Sequence, residues 1–411
     1  WDAYAPFRDY IADQGLNADD ILSAAVFSTG DPGDILRSLD DSAIGNVELK
    51  DMVRCTAGAQ GPCELACDAP AAGVEEIQGR LSLPLYRDSD GKVQLDSFGR
   101  PVVQGSEDAC FSLTVPTGVS PTNGWPVAVL AQEEGRDFRE ASTQGIAVSL
   151  ATEGWGSFTL ALPGQSGRSG GTTPDDPLRL RSELVQRAAD LHAAIEAIRS
   201  LNLSESESPT GAALRVDGQR LYMVAHGQGG IGGLSAMSWS PYLKGGVVGN
   251  VPGVFGLWMP KTIHPVDYRH GLMTALGDSS VDEHHPLVSL LQLYLEPVET
   301  TNNAGFLFRD PQTDALHMLS VDGVADDSLP RDALQALLRA LDAPIVGTVL
   351  DDYGQGTAAA PATENVSTAD GRRTAGSVQV QSGHEALFEG GGSTAVTFLS
   401  SSSANAPTIT P

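Results

Sequence analysis

The stretch MVAHGQGGIGG, residues 223–233, runs from apolar strand-like sequence through a turn of small residues into helix-compatible sequence. Such a junction exposes its apex residue at the edge of a sheet, where a nucleophilic hydroxyl can meet a substrate. The apex here is Gly227, which has no side chain. The four cysteines are the next marked group: Cys55, Cys63 and Cys67 share the segment CTAGAQGPCELAC, and Cys110 stands apart. There is no CxxC or CxxCH and no nearby histidine, so zinc and haem readings have no support. An even count outside any redox motif implies two disulfides and an oxidising compartment, with three pairings open. The stretch GRSGG, residues 167–171, matches Gly-x-Ser-x-Gly around Ser169. It leads into TTPDDP, where no helix can begin at once, and reads as a loop. His284 and His285, in VDEHHPLVSLLQLYL, stand at the N-terminal edge of a helix-like segment whose leucines recur at packing intervals.

These residues need elements to position them. Residues 1–50 read as helical and irregular, with NADDILSAAVF and DPGDILRSL opening on caps at Asn17 and Asp31. IQGRLSLPLY, GKVQLD and ACFSLTVP have strand character, with RDSDG as a hairpin turn between the first two. From about residue 117 strands alternate with helical segments. WPVAVLAQ, SFTLALPG, QRLYMVA, LKGGVVGNV and ALHMLSVDG read as strands. ASTQGIAVSLATEG, the long LRLRSELVQRAADLHAAIEAIRSL, IGGLSAMSW and PRDALQALLRAL read as helices. That alternation predicts a mostly parallel sheet covered by helices on both faces. Residues 258–312 interrupt it as a helical lid insertion. Trp155, Trp239 and Trp258 are assigned to core packing, no internal repeat is found, and the tail SSSSANAPTITP reads as disordered. The expected domains are an extension over 1–115, a main domain over 116–400 and a tail over 401–411.

The formal net charge is −27, from 52 acidic and 25 basic residues. A surface this acidic repels nucleic acid and anionic membranes, which makes both poor partner candidates, and no nucleic-acid partner is expected. No apolar run approaches the roughly 20 residues that span a bilayer, so no transmembrane segment is expected. The chain opens on Trp1, which suits a processed or trimmed start. NLS at 202–204 and NVS at 365–367 match the N-glycosylation pattern.

The order of strand, small-residue turn and helix, then a late acid and a late histidine, resembles the α/β-hydrolase superfamily, and in particular its secreted bacterial esterase and lipase branch, over about residues 115–400. AHGQGG is similar to that branch's Gly-His-Ser-Gln-Gly-Gly elbow, departing from it at Ala225 and Gly227. DGVADDSLP is similar to the loop carrying the acid, which the resemblance places at Asp326, with Asp327 the alternative. QSGHEALF resembles the loop of the catalytic histidine, which would be His384. The resemblance implies an α/β-hydrolase fold with an N-terminal β-containing extension and a lid.

It also implies an acid and a base with no hydroxyl to activate. The oxyanion hole of such enzymes takes one amide from the residue after the nucleophile, here Gln228, and one from a glycine-rich loop after an earlier strand. The corresponding loop here is QEEGR, Gln132 to Arg136, where Gly135 alone keeps the pattern and Glu133 and Glu134 bring negative charge toward the oxyanion's place. The reading that follows is an inactive or strongly impaired hydrolase-like protein, secreted or surface-exposed, with a binding or assembly role. The alternative is an esterase or lipase seen as a Ser-to-Gly variant at Gly227. Glu133, Glu134, His226, Asp326 and His384 would line one cleft, but their spacing carries no metal signature. No cofactor is therefore expected, calcium being the one named alternative. The ligand is left open between a small apolar ester-like molecule and self-assembly.

Overall fold

The computed structural model describes residues 4–24, 31–40, 47–63, 67, 69–133, 135–139, 145–171, 174–402 and 406–411. The chain forms two compact units, Trp1–Pro32 and Gly33–Pro411.

In the first unit, α1 (Ala5–Gln14) ends at Gly15, whose φ of 62° allows the left-handed closing turn. Asn17 accepts from the Asp19 N–H at 3.2 Å, as a cap should. It heads only a 3₁₀ turn, Ala18–Asp20. The helix expected to continue from there does not form over residues 21–24, where Leu22 is fully exposed: a segment that buries no apolar face lacks the packing that stabilises short helices. Residues 25–30 of that expectation lie outside the described residues.

The second unit begins with α2 (Asp34–Asp40). The expected cap at Asp31 is displaced to Gly33, whose carbonyl accepts from the Arg37 N–H at 2.8 Å, because Pro32 and Gly33 intervene before the first helical turn. Then come β1 (Leu49–Arg54), β2 (Val74–Leu85), β3 (Gly105–Pro116), β4 (Trp125–Ala131), α3 (Ile146–Thr152), β5 (Gly156–Leu160) and α4 (Pro177–Arg199). After β6 (Leu214–His226), α5 (Gly229–Trp239) and β7 (Leu243–Gly249) comes a helical stretch, with α6 (Phe255–Trp258), α7 (Tyr268–Leu276), α8 (Pro286–Leu295) and α9 (Thr300–Ala304), over the region expected as an insertion. β8 (His317–Gly323), α10 (Arg331–Leu341), β9 (Ile345–Val346), β10 (Thr357–Ala358), β11 (Ala375–Val380) and α11 (Gly392–Ser401) complete it.

The strands lie in the order β1-β2-β3-β5-β4-β6-β7-β8-β11-β9-β10. The first three are antiparallel, and β4 onward are parallel neighbours. β3 is hydrogen-bonded to β5, so the domain boundary expected after residue 115 lies inside one continuous sheet. Alternate residues of β6 supply two separate cores: Leu221, Met223 and Ala225 face α4 and α5, while Tyr222 and Val224 face α3 and α11. Trp155, Trp239 and Trp258 are all buried.

GKVQLD does not form a strand. Two aspartate turns eight residues apart, closed by Gly91 N–H to the Asp88 carbonyl and Gly99 N–H to the Asp96 carbonyl, leave only isolated bridges Arg87↔Val93 and Leu95↔Pro101. The Asp88 and Asp96 side chains each accept two backbone N–H groups in the same way, a short local repetition that the sequence pattern hid. The tail also departs from expectation. Ser400 and Ser401 close α11, and the Ile409 N–H and carbonyl pair with Ala362 at 2.9 and 3.0 Å. Ile409 is wholly buried and anchors residues 406–411, while residues 403–405 of the expected tail lie outside the described residues. The disulfides are Cys55–Cys67 and Cys63–Cys110, which decides among the three pairings and staples the loop after β1 to β3.

Candidate active site

β6 ends at His226, Gly227 turns, and α5 starts at Gly229 with Gln228 as its N-cap. Gly227 has φ of 53°, the left-handed conformation that glycine adopts without the Cβ penalty. The turn is held by Gly227 N–H to the Gly249 carbonyl at 3.0 Å. Its tightness also depends on Gly229, where an added Cβ would lie 2.2 Å from the Gln132 carbonyl oxygen.

Asp326 follows β8, and its carboxylate is fixed from several sides. Asn250 Nδ2 donates to Oδ2 at 2.5 Å, and the N–H groups of Ser328 and Leu329 donate to Oδ1 at 2.8 and 3.0 Å. His384 Nδ1 meets Asp326 Oδ2 at 2.7 Å, which orients the ring. Asp327, the alternative acid, is exposed beside this pair. Acid and imidazole are thus placed as in a catalytic triad.

The third position is taken by Glu133, which follows β4. Its Oε1 lies 3.1 Å from His384 Nε2, the nitrogen that would deprotonate a nucleophile. A Cβ at Gly227 would fall 2.7 Å from Glu133 Oε1, 3.0 Å from its Cδ and 3.1 Å from His384 Nε2. The carboxylate therefore fills the space that a nucleophile's side chain would need. Its backbone is pinned by Gln165, which donates from Nε2 to the Glu133 carbonyl at 2.8 Å and accepts from Leu162 N–H at 2.9 Å. Arg136, in the same loop, is ion-paired with Glu385, next to His384. Gly135 has φ of 85°, and Glu134 lies outside the described residues.

The electrostatics follow from this crowding. Burial opposes a charge on His384, but hydrogen bonds and attraction from Asp326 and Glu133 outweigh it and push the ring up to about 10. Burial would raise both carboxyls, and the His384 contacts instead hold each below the usual carboxylate range. An imidazolium between two carboxylates has no lone pair at Nε2 with which to accept a proton. His226, buried against His384 and Phe388, is lowered by burial and by the His384 charge. Its Nε2 donates to the His384 backbone carbonyl at 2.8 Å.

The structure thus gathers Gly227, Gln228, Glu133, Asp326, His384 and His226 at one point. Ser169 is elsewhere, in an exposed loop with its hydroxyl 3.4 Å from Glu107. His285 caps α8 by accepting the Leu287 N–H, the structural role its position suggested. Asn250 and Gln165 were missed. Asn250 carried a faint signal: a polar residue ending the apolar run GGVVGN, at φ of 47°. The helical stretch after β7 contributes Tyr268, whose hydroxyl donates to Gln228 Oε1 at 3.2 Å, and Trp258 and Thr262, which line the cavity before Gly227. That cavity measures about 10 Å³, space for one water-sized particle.

No family model and no curated protein matches the chain in sequence. Solved structures do match in shape. Acetyl xylan esterase 1 from Thermoanaerobacterium sp. aligns over 89% of this chain and 90% of that one, with a TM-score of 0.52 and 13% identity. The chain has the α/β-hydrolase fold. An acetyl xylan esterase from Paenibacillus sp. matches over 89% and 92% at a TM-score of 0.49 and 13% identity. A glucuronoyl esterase from Teredinibacter turnerae matches over 86% and 77% at 0.42 and 12%. Within the fold, β6 and α5 meet at the Gly227 turn, and the loop after β4 brings Glu133 to face it. Among the described residues no helix is long and apolar enough to cross a membrane.

Proposed function

We propose that this chain is a catalytically silent, or strongly impaired, member of the hydrolase-fold proteins, whose scaffold serves binding or assembly outside the reducing cytoplasm. The observation that carries this reading is the Glu133 carboxylate on His384 Nε2, in the space before a Gly227 that bears no side chain. Loss of the serine alone costs about 10⁶ in kcat in a well-studied protease. Here the base is also engaged by a buried anion, and a negative group stands where an oxyanion would need donors. A cavity of about 10 Å³ is far below the roughly 300–1,000 Å³ of small-molecule sites. Two disulfides support a secreted or surface location.

The alternative, an ester hydrolase carrying a Ser-to-Gly change, draws support from one feature: the intact Asp326–His384 pair and its Asn250 support. Hydrolysis of short- and medium-chain p-nitrophenyl esters separates the readings. The proposal expects the native chain and its His384→Ala variant to give the same background rate. A native rate at least a hundredfold above the variant's would overturn it.

A further inference from the structure

Glu133 and His384 line the cavity before Gly227, and His226, buried beside them outside that lining, completes a donor set for which acyl transfer gives no use. Glu133 Oε1 and His384 Nε2 stand 3.1 Å apart. One ring nitrogen of His226 joins them, all three ligand atoms lying within 4.8 Å of one another. A cation about 2.1 Å from an oxygen and a nitrogen separated by that 3.1 Å subtends roughly 95° between them, an ordinary ligand angle. We propose that Glu133, His384 and His226 form a binding site for one first-row divalent cation, with zinc as the reference ion. Two histidines and one carboxylate are the donor types that such ions select over calcium or magnesium.

Two features beyond the ligand types support the site. The first is the support behind His384. Its other nitrogen is held by Asp326 at 2.7 Å, and Asp326 is fixed by Asn250 and two backbone N–H groups. A carboxylate behind a ligating histidine orients the ring and raises its basicity as a ligand. His226 is oriented as well: its Nε2 donates to the His384 carbonyl, which leaves Nδ1 as its lone-pair nitrogen. The second is an unanswered polar atom. Thr262 is 3% exposed, its Oγ1 has no hydrogen-bond partner, and it lines the same cavity, with His264 at the exposed rim. A cavity of about 10 Å³ admits an ion or a water and excludes an ester. Contraction of the cluster by on the order of 1 Å brings the third donor into range, and the proton held between Oε1 and Nε2 passes to solvent.

The inference goes beyond the silent-hydrolase reading and can fail without it, because metal binding is read from absorption bands and not from ester turnover. The test uses the whole chain, freed of metal by chelator and titrated with Co²⁺ and then Zn²⁺ at one fixed pH. Visible d–d absorption bands should grow and saturate at one equivalent of Co²⁺, and Zn²⁺ should abolish them. Glu133→Gln should weaken binding at least tenfold, and a His284→Ala/His285→Ala control should not change it. Failure of the native chain to develop the bands overturns the proposal without recourse to any variant. So does equal Co²⁺ affinity in a folded Glu133→Gln chain, which would assign the metal to surface histidines.

Discussion

Restoring a serine at the elbow should not restore activity. In Gly227→Ser the new Cβ lies 2.7 Å from Glu133 Oε1 and 3.0 Å from its Cδ, closer than van der Waals contact permits. The φ of 53° adds about 1–2 kcal/mol for a residue with a Cβ. Relieving the overlap requires moving a loop pinned through Gln165 and Arg136, so a total loss of about 2–4 kcal/mol in stability is expected. The Cβ also lies 3.1 Å from His384 Nε2, so a serine hydroxyl could reach the base if Glu133 were gone. The Gly227→Ser/Glu133→Ala double variant clears the space and frees Nε2 while leaving the Asp326–His384 bond of 2.7 Å. General-base assistance is worth about 10²–10⁴ in rate. Hydrolysis of p-nitrophenyl acetate by the double variant should therefore exceed that of the single one by at least a hundredfold. A single variant as fast as the double would show that Glu133 is no obstacle. A folded double variant no faster than the single would place the block elsewhere, and either result refutes the reasoning.

Other expectations follow from the same structure. His384→Ala leaves the Glu133 and Asp326 carboxylates buried without their shared cation, so urea unfolding should show a loss of about 3–5 kcal/mol, partly recovered when Glu133→Ala is added. Asp322, wholly buried between Ser320 and Ser377, is raised by burial to about 6, with the two hydroxyls pulling the other way. The folded state then holds a proton that the unfolded state has released, so this group makes stability fall as pH rises from about 4 to about 6, by about 3 kcal/mol. Asp322→Asn should flatten that decline in urea midpoints at pH 4 and pH 8; an unchanged pH dependence would exclude Asp322 as its source. Loss of Cys63–Cys110, with a separation of 47, should cost about 4 kcal/mol against about 3 kcal/mol for Cys55–Cys67, separation 12, on a chain-entropy reckoning. Thermal melts of the two double-serine variants would check the order.

Sequence carried the sheet because its signals are local and repeated. β6 and α5 show in the switch from an apolar run to small residues, and α4 in one long helix-compatible stretch. The site was legible in part. Gly227, Asp326 and His384 stand in the chain order that the resemblance supplies. Of the two glutamates expected to bring charge toward the turn, Glu133 stands against His384, and Glu134 lies outside the described residues. What Glu133 does was not legible, because the direction of a side chain in an irregular loop is set by contacts such as Gln165, remote in sequence. The same holds for Asn250, whose role depends on a left-handed backbone at a strand end, and for Ile409, one apolar residue anchoring a polar tail. GKVQLD failed for the opposite reason: its alternation suits a strand, but Asp–Gly turns on both sides leave too little length for one.

The central claim is that the elbow holds no usable nucleophile and that Glu133 has closed its place. Treating the native protein with an excess of a serine-reactive fluorophosphonate and measuring its intact mass tests this most directly. The account predicts an unmodified mass after hours of exposure. A stoichiometric adduct on any serine lining the cleft would contradict it.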